Sequence, residues 1–493
     1  MIVVVDGASE AAVRESVDGL IRSGLPRGTH FELRLDLFAA LPEPELGARL
    51  ELPCVVTCRR MQDGGRWQGS ESDRRKLILR AVASGCAYVD IEEDVLATYP
   101  DVPKDRIIAS LHDFHGTPAD LPQRVDAMQR RARWVKVAAR VNSPADLLLL
   151  QRIARTLHPG RVIAIGLGPG GDLSRLLPAA MGSAMTYVRC PNAEGEDRIS
   201  VGGLPKIEDL TSLYYADAHL RAPTAVFGVL TDFRGSSLGP PVWNRFFRTH
   251  FLPCIYTPMR VSTLVGVREM FRSFGLRGVS VTTPYKESIV PFTDEADGLV
   301  TRIGACNTLV LRNGIVRGFN TDYHGVRRPL ESALSRGASR VRTALVVGAG
   351  GAGRAAIAAL TDLGLDVTVT AKSPERALGA ASDLSVRYIE VPKQPPDVLV
   401  NATPLGGPRA PSGCPVDSNL LRPNQIIIEM NYGVETPLMM QAKAMGATVI
   451  PGSEMYVAQA AEQLRLFWTG VEDPISEMEK AYRWTIAEQR VWS

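Results

Sequence analysis

The stretch "RWVKVAAR" (133–140) sets Lys136 inside an apolar run with Trp134, Val135, Val137 and Ala138 around it. A buried ammonium is costly unless it is paired, neutral or chemically used. A neutral amine attacks a carbonyl carbon, and the resulting imine draws electrons so that the neighbouring carbon releases a proton. Bringing a lysine from ~10.4 to around 7–8 takes roughly 3–5 kcal/mol of environment unfavourable to its charge. Burial supplies part of this, and Arg34, Arg59 and Arg175 supply like charge. The same arginines suit an anionic substrate, a carboxylate. His112 can take the proton and return one to a leaving hydroxyl, and Glu92 can orient its imidazole. Glu32, Arg34 and Asp36 recur at every second residue, which on a strand puts three charges on one face and calls for a polar cavity.

Those residues ride on separate β-rich runs. They read "MIVVVD" (1–6), "FELRLDL" (31–37), "CVVTCR" (54–59), "YVDIEE" (88–93), "RIIASLHD" (106–113), "WVKVAA" (134–139), "RVIAIGLG" (161–168) and "SAMTYV" (183–188). Amphipathic segments such as "AAVRESVDGLIRSG" separate them. Eight β/α units of this length fit a closed parallel barrel, whose chemistry gathers at the carboxyl ends of its strands. An open doubly wound sheet is the alternative that the pattern allows. A polar helix-like segment, 206–219, and a short linker, 220–224, close this half.

Two segments match GxGxxG. "GLGPGG" (166–171) carries a proline within the turn and reads as a substrate-binding loop at the seventh strand. "GAGGAG" (348–353) follows "ALVV" and opens the helix "RAAIAAL", the context that receives a pyrophosphate on backbone N–H groups. The next strand, "DVTVT", ends in "AKS". Lys372 and Ser373, where an acid would favour NAD, point to a 2′-phosphate and hence NADP.

The 493 residues carry a net charge of +3 with 45% hydrophobic residues, which describes a globular protein of two or three domains without a nucleic-acid surface. No apolar stretch reaches the ~20 residues that span a membrane. Seven cysteines without a CxxC pair, and no visible transit peptide, make a reduced cytoplasm the expected setting. His112 and His115 have a metal-like spacing but lack further ligands, so no metal is expected. The C-terminal "ISEMEKAYRWTIAEQRVW" reads as an amphipathic packing helix.

"ELRLD", "TCRRMQDGG", "VDIE", "SLHDF", "VKVA" and "GLGPGGDLSR" occur in the order and spacing of the type I 3-dehydroquinate dehydratases, which residues 1–218 resemble. The resemblance implies a (β/α)8 barrel that dehydrates 3-dehydroquinate through an imine on Lys136, with His112 as acid and base. It places Glu32, Arg34, Arg59 and Arg175 around the substrate. "PNAEGEDRIS" (191–200) departs from the serine and glutamine loop usual in that family.

Residues 224–475 resemble the shikimate dehydrogenases through "VSVTTPYKES", "IGACNTLV", "GFNTDYHG", "NATPLGG" and "PGSEMYVAQ". Lys286 and Asp322 form an opposite-charge pair able to move a proton at an alcohol carbon while hydride moves at a nicotinamide. Thr282, Asn307 and Gln459 suit sugar-like hydroxyls. The resemblance adds Ser237, Ser280 and Tyr432 to the substrate site. To the cofactor site, with Gly348, Gly350, Gly351 and Gly353, it adds Asn401, Thr403 and Gly452. Gly239 stands where the family carries a second serine, and Glu429 stands where it carries an aspartate.

The fold expected is α/β. A barrel over 1–218 precedes a substrate domain over 224–335, completed by helices near 456–493, and a Rossmann domain over 338–455. The function expected is dehydration of 3-dehydroquinate followed by NADPH-dependent reduction of 3-dehydroshikimate to shikimate. The alternatives are a quinate or shikimate dehydrogenase working oxidatively with NAD, and a ligand sensor without activity. The partners expected are these small molecules, with neither nucleic acid nor membrane. The oligomeric state stays open.

Overall fold

The computed structural model describes the chain except residues 6–8, 24, 26–27, 39–44, 50–52, 191–203, 208–209, 211–224, 233–236, 337–340 and 493. The loop 191–200, the linker 220–224 and most of the helix-like 206–219 therefore lie outside the described residues. Two compact units emerge: Met1–Val226 with Asp232–Pro240 and Pro253–Gly275, and Phe227–Thr231 with Pro241–Leu252 and Leu276–Ser493.

The first unit contains strands β1 (Ile2–Val5), β2 (His30–Arg34), β3 (Cys54–Thr57), β4 (Tyr88–Glu92), β5 (Ile107–Asp113), β6 (Trp134–Arg140), β7 (Val162–Leu167) and β8 (Tyr187–Arg189). They pair in the order β7-β6-β5-β4-β3-β2-β1-β8. The ladders between them are parallel. From β1 to β7 chain neighbours are sheet neighbours, and β1 sits between β2 and β8, which is the order of a (β/α)8 barrel. A doubly wound sheet would reverse direction at a switch point. At the seam, Ala184 N–H donates to Val162 C=O at 2.8 Å.

Alternation along the strands turns Ile2, Val4, Val55, Ile108, Ala138, Ile163, Ile165 and Tyr187 into one buried core. Helices α1 (Glu10–Ser23), α2 (Glu71–Ala83), α3 (Leu121–Gln129) and α4 (Pro144–Arg152) fall between the strands. Ser70 caps α2, and Ser143 with Asp146 closes a capping box on α4.

One expectation needs correction. Strand β2 stops at Arg34, and Leu35–Leu37 form a 3-10 turn. Asp36 therefore does not share the face of Glu32 and Arg34. The turn bends it back onto the Arg34 guanidinium in a two-point contact, 3.0 and 2.8 Å, a geometry that an extended strand could not reach.

Further strands are β9 (Ala225–Thr231), β10 (Cys254–Arg260), β11 (Leu276–Val281), β12 (Glu295–Ala296), β13 (Thr308–Arg312) and β14 (Ile315–Phe319). β10 clusters with the first unit. In the second unit β9, β11, β13, β14 and β12 follow one another across a mixed sheet. Helix α5 (Asp322–Ser335) leads from it to β15 (Thr343–Val347), α6 (Gly351–Asp362), β16 (Asp366–Thr370), α7 (Pro374–Asp383) and β17 (Arg387–Tyr388). Then come β18 (Val398–Asn401), β19 (Ile426–Glu429), β20 (Thr448–Ile450) and α8 (Gly452–Phe467). The last sheet is parallel, ordered β17-β16-β15-β18-β19-β20. Renumbered from β15 this is 3-2-1-4-5-6, the Rossmann order with its crevice between β15 and β18. Ala355, Ala356, Ala358 and Ala359 let α6 press closely into the core.

Candidate active sites

Lys136 is 3% exposed and faces a cavity within the first unit. Glu32, Arg34, Arg59, His112 and Tyr187 share its lining. The lysine is paired: its Nζ contacts Asp90 and lies 3.8 Å from Glu32. Sequence reading left that role for Asp90 unassigned, although its alternation with Glu92 on β4 was visible. Asp90 also accepts from Ser110 Oγ at 2.6 Å and pairs with Arg59 at 2.9 Å. Burial, then Arg59, pushes the Lys136 ammonium below the ordinary lysine value, while Asp90 and Glu32 pull the other way. Arg175 is not among the groups that act most strongly on it. Its guanidinium is buried against Asp172 at 2.8 Å and the Gly168 carbonyl at 3.1 Å, off the lining of the cavity.

His112 is held by Arg59, whose Nη1 lies 2.9 Å from Nδ1. A guanidinium only donates, so Nδ1 accepts and the neutral imidazole carries its hydrogen on Nε2. Burial, Arg59 and Lys136 together hold its pKa well below the usual histidine range. Glu92, expected to orient this ring, turns instead to Arg74 of α2 at 2.6 Å and lies 3.8 Å from Arg59. The buried guanidinium of Arg74 outcompetes a neutral imidazole for the carboxylate. Thr57 Oγ1 donates to Glu32 at 2.7 Å and fixes it at the cavity wall.

In the second unit Lys286 Nζ lies 2.5 Å from Asp322 Oδ2, the first residue of α5. Asn307 Nδ2 donates to the other Asp322 oxygen at 2.8 Å, and Gln459 on α8 reaches Thr321 Oγ1 at 3.3 Å. Ser280 Oγ donates to Gln463 Oε1 at 3.0 Å, and Gln463 Nε2 donates to Thr308 Oγ1 at 2.9 Å. Gln463 was missed, yet it lies one helical turn beyond Gln459 on the same face. Thr282 is half-buried, and its N–H donates to Leu230 C=O at 3.1 Å. The Tyr432 ring packs 4.9 Å from that of Tyr456.

Ser237 lies in the first unit and accepts from Gly239 N–H at 3.0 Å. A Cβ on Gly239 would sit 3.0 Å from the Tyr256 ring, so a second serine there is disfavoured by this packing.

The glycine turn has the shape a pyrophosphate requires. Gly348 has φ +112°, and a Cβ on Gly353 would meet Gly348 C=O at 1.9 Å. Gly350 precedes α6 without any side-chain cap, so the first N–H groups of the helix face outward for an anion. A Cβ on Gly351 would lie 2.7 Å from Lys286 Cβ, which brings Lys286 directly against the turn.

Around it, Lys372 is exposed, whereas Ser373 caps α7 and donates to Glu375 at 2.8 Å. The serine hydroxyl is thus engaged in starting the helix. Arg376, which sequence reading passed over, reaches back to pair with Glu287 at 2.5 Å, beside Gly350. Asn401, expected at the cofactor, is fully buried and spends its side chain inside the protein. It donates to Glu429 and accepts from Thr403 N–H and Oγ1 at 3.0 and 2.7 Å. Gly452 packs so tightly on Asn431 that a Cβ would lie 1.9 Å from its carbonyl oxygen.

A type I 3-dehydroquinase family model matches residues 2–221, and a shikimate dehydrogenase substrate binding domain model matches residues 234–309. A chloroplastic bifunctional 3-dehydroquinate dehydratase/shikimate dehydrogenase of Arabidopsis thaliana is 30% identical over 457 residues, covering 86% of this chain and 74% of that one. The chain belongs to this bifunctional family. An NADP(+) shikimate dehydrogenase of Methanothermobacter thermautotrophicus is 33% identical over 53% of this chain and 96% of its own length. A solved shikimate 5-dehydrogenase of Thermus thermophilus, in complex with NADP(H) and shikimate, aligns at 32% identity and a TM-score of 0.47. It covers 53% of this chain and 100% of that one.

Proposed function

We propose that the chain dehydrates 3-dehydroquinate to 3-dehydroshikimate and reduces that product to shikimate with NADPH. The observation that carries it is the single cavity shared by Lys136, His112 and two buried guanidinium groups. Lys136 delivers its free amine to the ketone carbon, and loss of water gives the protonated imine. His112 removes a proton from the adjacent carbon, and that electron pair moves into the iminium to form an enamine. The enamine pushes out the hydroxyl one carbon further on, which leaves as water with the proton from His112. Hydrolysis of the imine then returns Lys136. Asp90 faces the nitrogen throughout and balances the iminium charge.

In the second unit the glycine turn, Lys372 and Arg376 would hold NADPH, which supplies a hydride when bound. Lys286 gives the proton to the carbonyl oxygen, and Asp322 keeps Lys286 aimed. Asn307 and Gln459 position ring hydroxyls. Two basic side chains beyond β16 favour NADPH over NAD. Among the described residues no helix is long and apolar enough to cross a membrane, and the cytoplasm is the proposed setting.

The deciding experiment treats the purified chain with 3-dehydroquinate and borohydride, expecting a covalent adduct on Lys136 by peptide mass. A Lys136→Ala chain that still dehydrates at full rate would remove the imine mechanism.

A further inference from the structure

Tyr187 opens β8 opposite Ile2 of β1, and the strand alternation turns its ring inward. It is 3% exposed and lines the same cavity as Lys136 and His112. Lys136 Nζ sits over its face, 4.7 Å from the ring centroid. Its hydroxyl is buried without a hydrogen-bond partner among the described residues. A phenol in that position is anomalous for stability alone. A buried hydroxyl left unsatisfied is destabilising, and a phenylalanine would fill the same core without that cost. The ring accounts for the cation contact and the packing; only the oxygen is left unexplained.

Proximity limits what the oxygen can serve. The nitrogen over the ring becomes the imine nitrogen, so the imine carbon stands one bond further into the cavity. His112 must reach one of the two carbons flanking that centre. The other flanking carbon in 3-dehydroquinate carries a hydroxyl.

We propose that the Tyr187 hydroxyl hydrogen-bonds the substrate hydroxyl on the carbon next to the ketone, and so selects α-hydroxy ketones for attack by Lys136. This rests on the dehydratase reading above. It makes Tyr187 a substrate-binding residue whose oxygen is satisfied only in the complex.

The test compares the full-length wild-type chain with Tyr187→Phe, which keeps the ring and removes only the oxygen. Three readouts are taken: borohydride trapping, kcat/KM for 3-dehydroquinate, and kcat/KM for the analogue lacking the hydroxyl beside the ketone. Both chains should trap adduct on Lys136. Tyr187→Phe should lower kcat/KM for 3-dehydroquinate by about 3- to 10-fold, the worth of one neutral hydrogen bond. On the analogue the two chains should agree within about twofold, and the variant should melt at the same temperature as wild type or above it. Equal kcat/KM on the natural substrate overturns the proposal. So does an equal fall on both substrates, or a lower melting temperature, since either places the oxygen's role in the protein. Absence of trapping in the wild-type chain removes the dehydratase reading itself, a distinct result.

Discussion

Asp90, itself at zero exposure, accepts from Ser110, pairs with Arg59 and contacts Lys136. Its charge holds the lysine closer to its ordinary pKa than burial and Arg59 alone would allow. Asp90→Asn should therefore move the acid limb of the dehydratase kcat/KM profile to lower pH, because the amine then loses its proton more readily. An unchanged limb would mean that Lys136 does not set it. His112 gives a second pH effect. Its folded pKa lies well below the unfolded value of about 6.5, so between the two the unfolded chain binds more protons. Stability should fall as pH drops through that window, and His112→Asn should flatten the dependence in melts from pH 7.5 down to 5.5. Sequence could name Lys136 and His112 because charged types in apolar runs stand out. It could not assign Asp90 over Glu92, since both sit on β4 at alternate positions and only Arg74 from a distant helix decides which one leaves the cavity.

At the scale of elements, the β15 turn shows what glycine is needed for. A methyl on Gly353 would overlap the Gly348 carbonyl, so Gly353→Ala should cost more than the 1–3 kcal/mol of ordinary overpacking and abolish reductase activity, read by thermal melt and NADPH oxidation. The GAGGAG pattern, its strand and its helix were all legible because spacing alone defines them. The proposed site for the 2′-phosphate was only half legible. Lys372 follows the strand directly, but Arg376 enters only because α7 begins at Pro374 and carries it back toward Gly350. Arg376→Ala should raise KM for NADPH by about 10- to 100-fold, the worth of a charge-assisted hydrogen bond, with a smaller effect on KM for NADH. Glu429 was legible only as an oddity. Its carboxylate accepts from Asn401, Asn431 and Thr436, and so ties the loops after β18 and β19 together.

For the molecule as a whole, eight regularly spaced apolar runs and the strand, turn and helix that open the Rossmann sheet could be read because period and spacing announce them, whereas the substrate domain was legible only through its motifs. The 3-10 turn at Asp36 could not, because it depends on a side chain finding Arg34. The two chemistries use separate residues in separate units, so they should fail independently. Lys136→Ala should lose dehydration and keep the reductase rate; Lys286→Ala should lower reduction by about 10²- to 10⁴-fold and leave dehydration intact. Loss of both from either change would contradict this division. The barrel cavity has one further property. Arg34 is matched by Asp36, Arg59 by Asp90 and Glu92, and Lys136 by Asp90. A visiting anion thus finds each of these three cations already wedded to an internal rival and must trade places with it. Simple oxyanions such as sulfate should be feeble inhibitors, and a molecule earns residence there by offering a ketone as well as a charge.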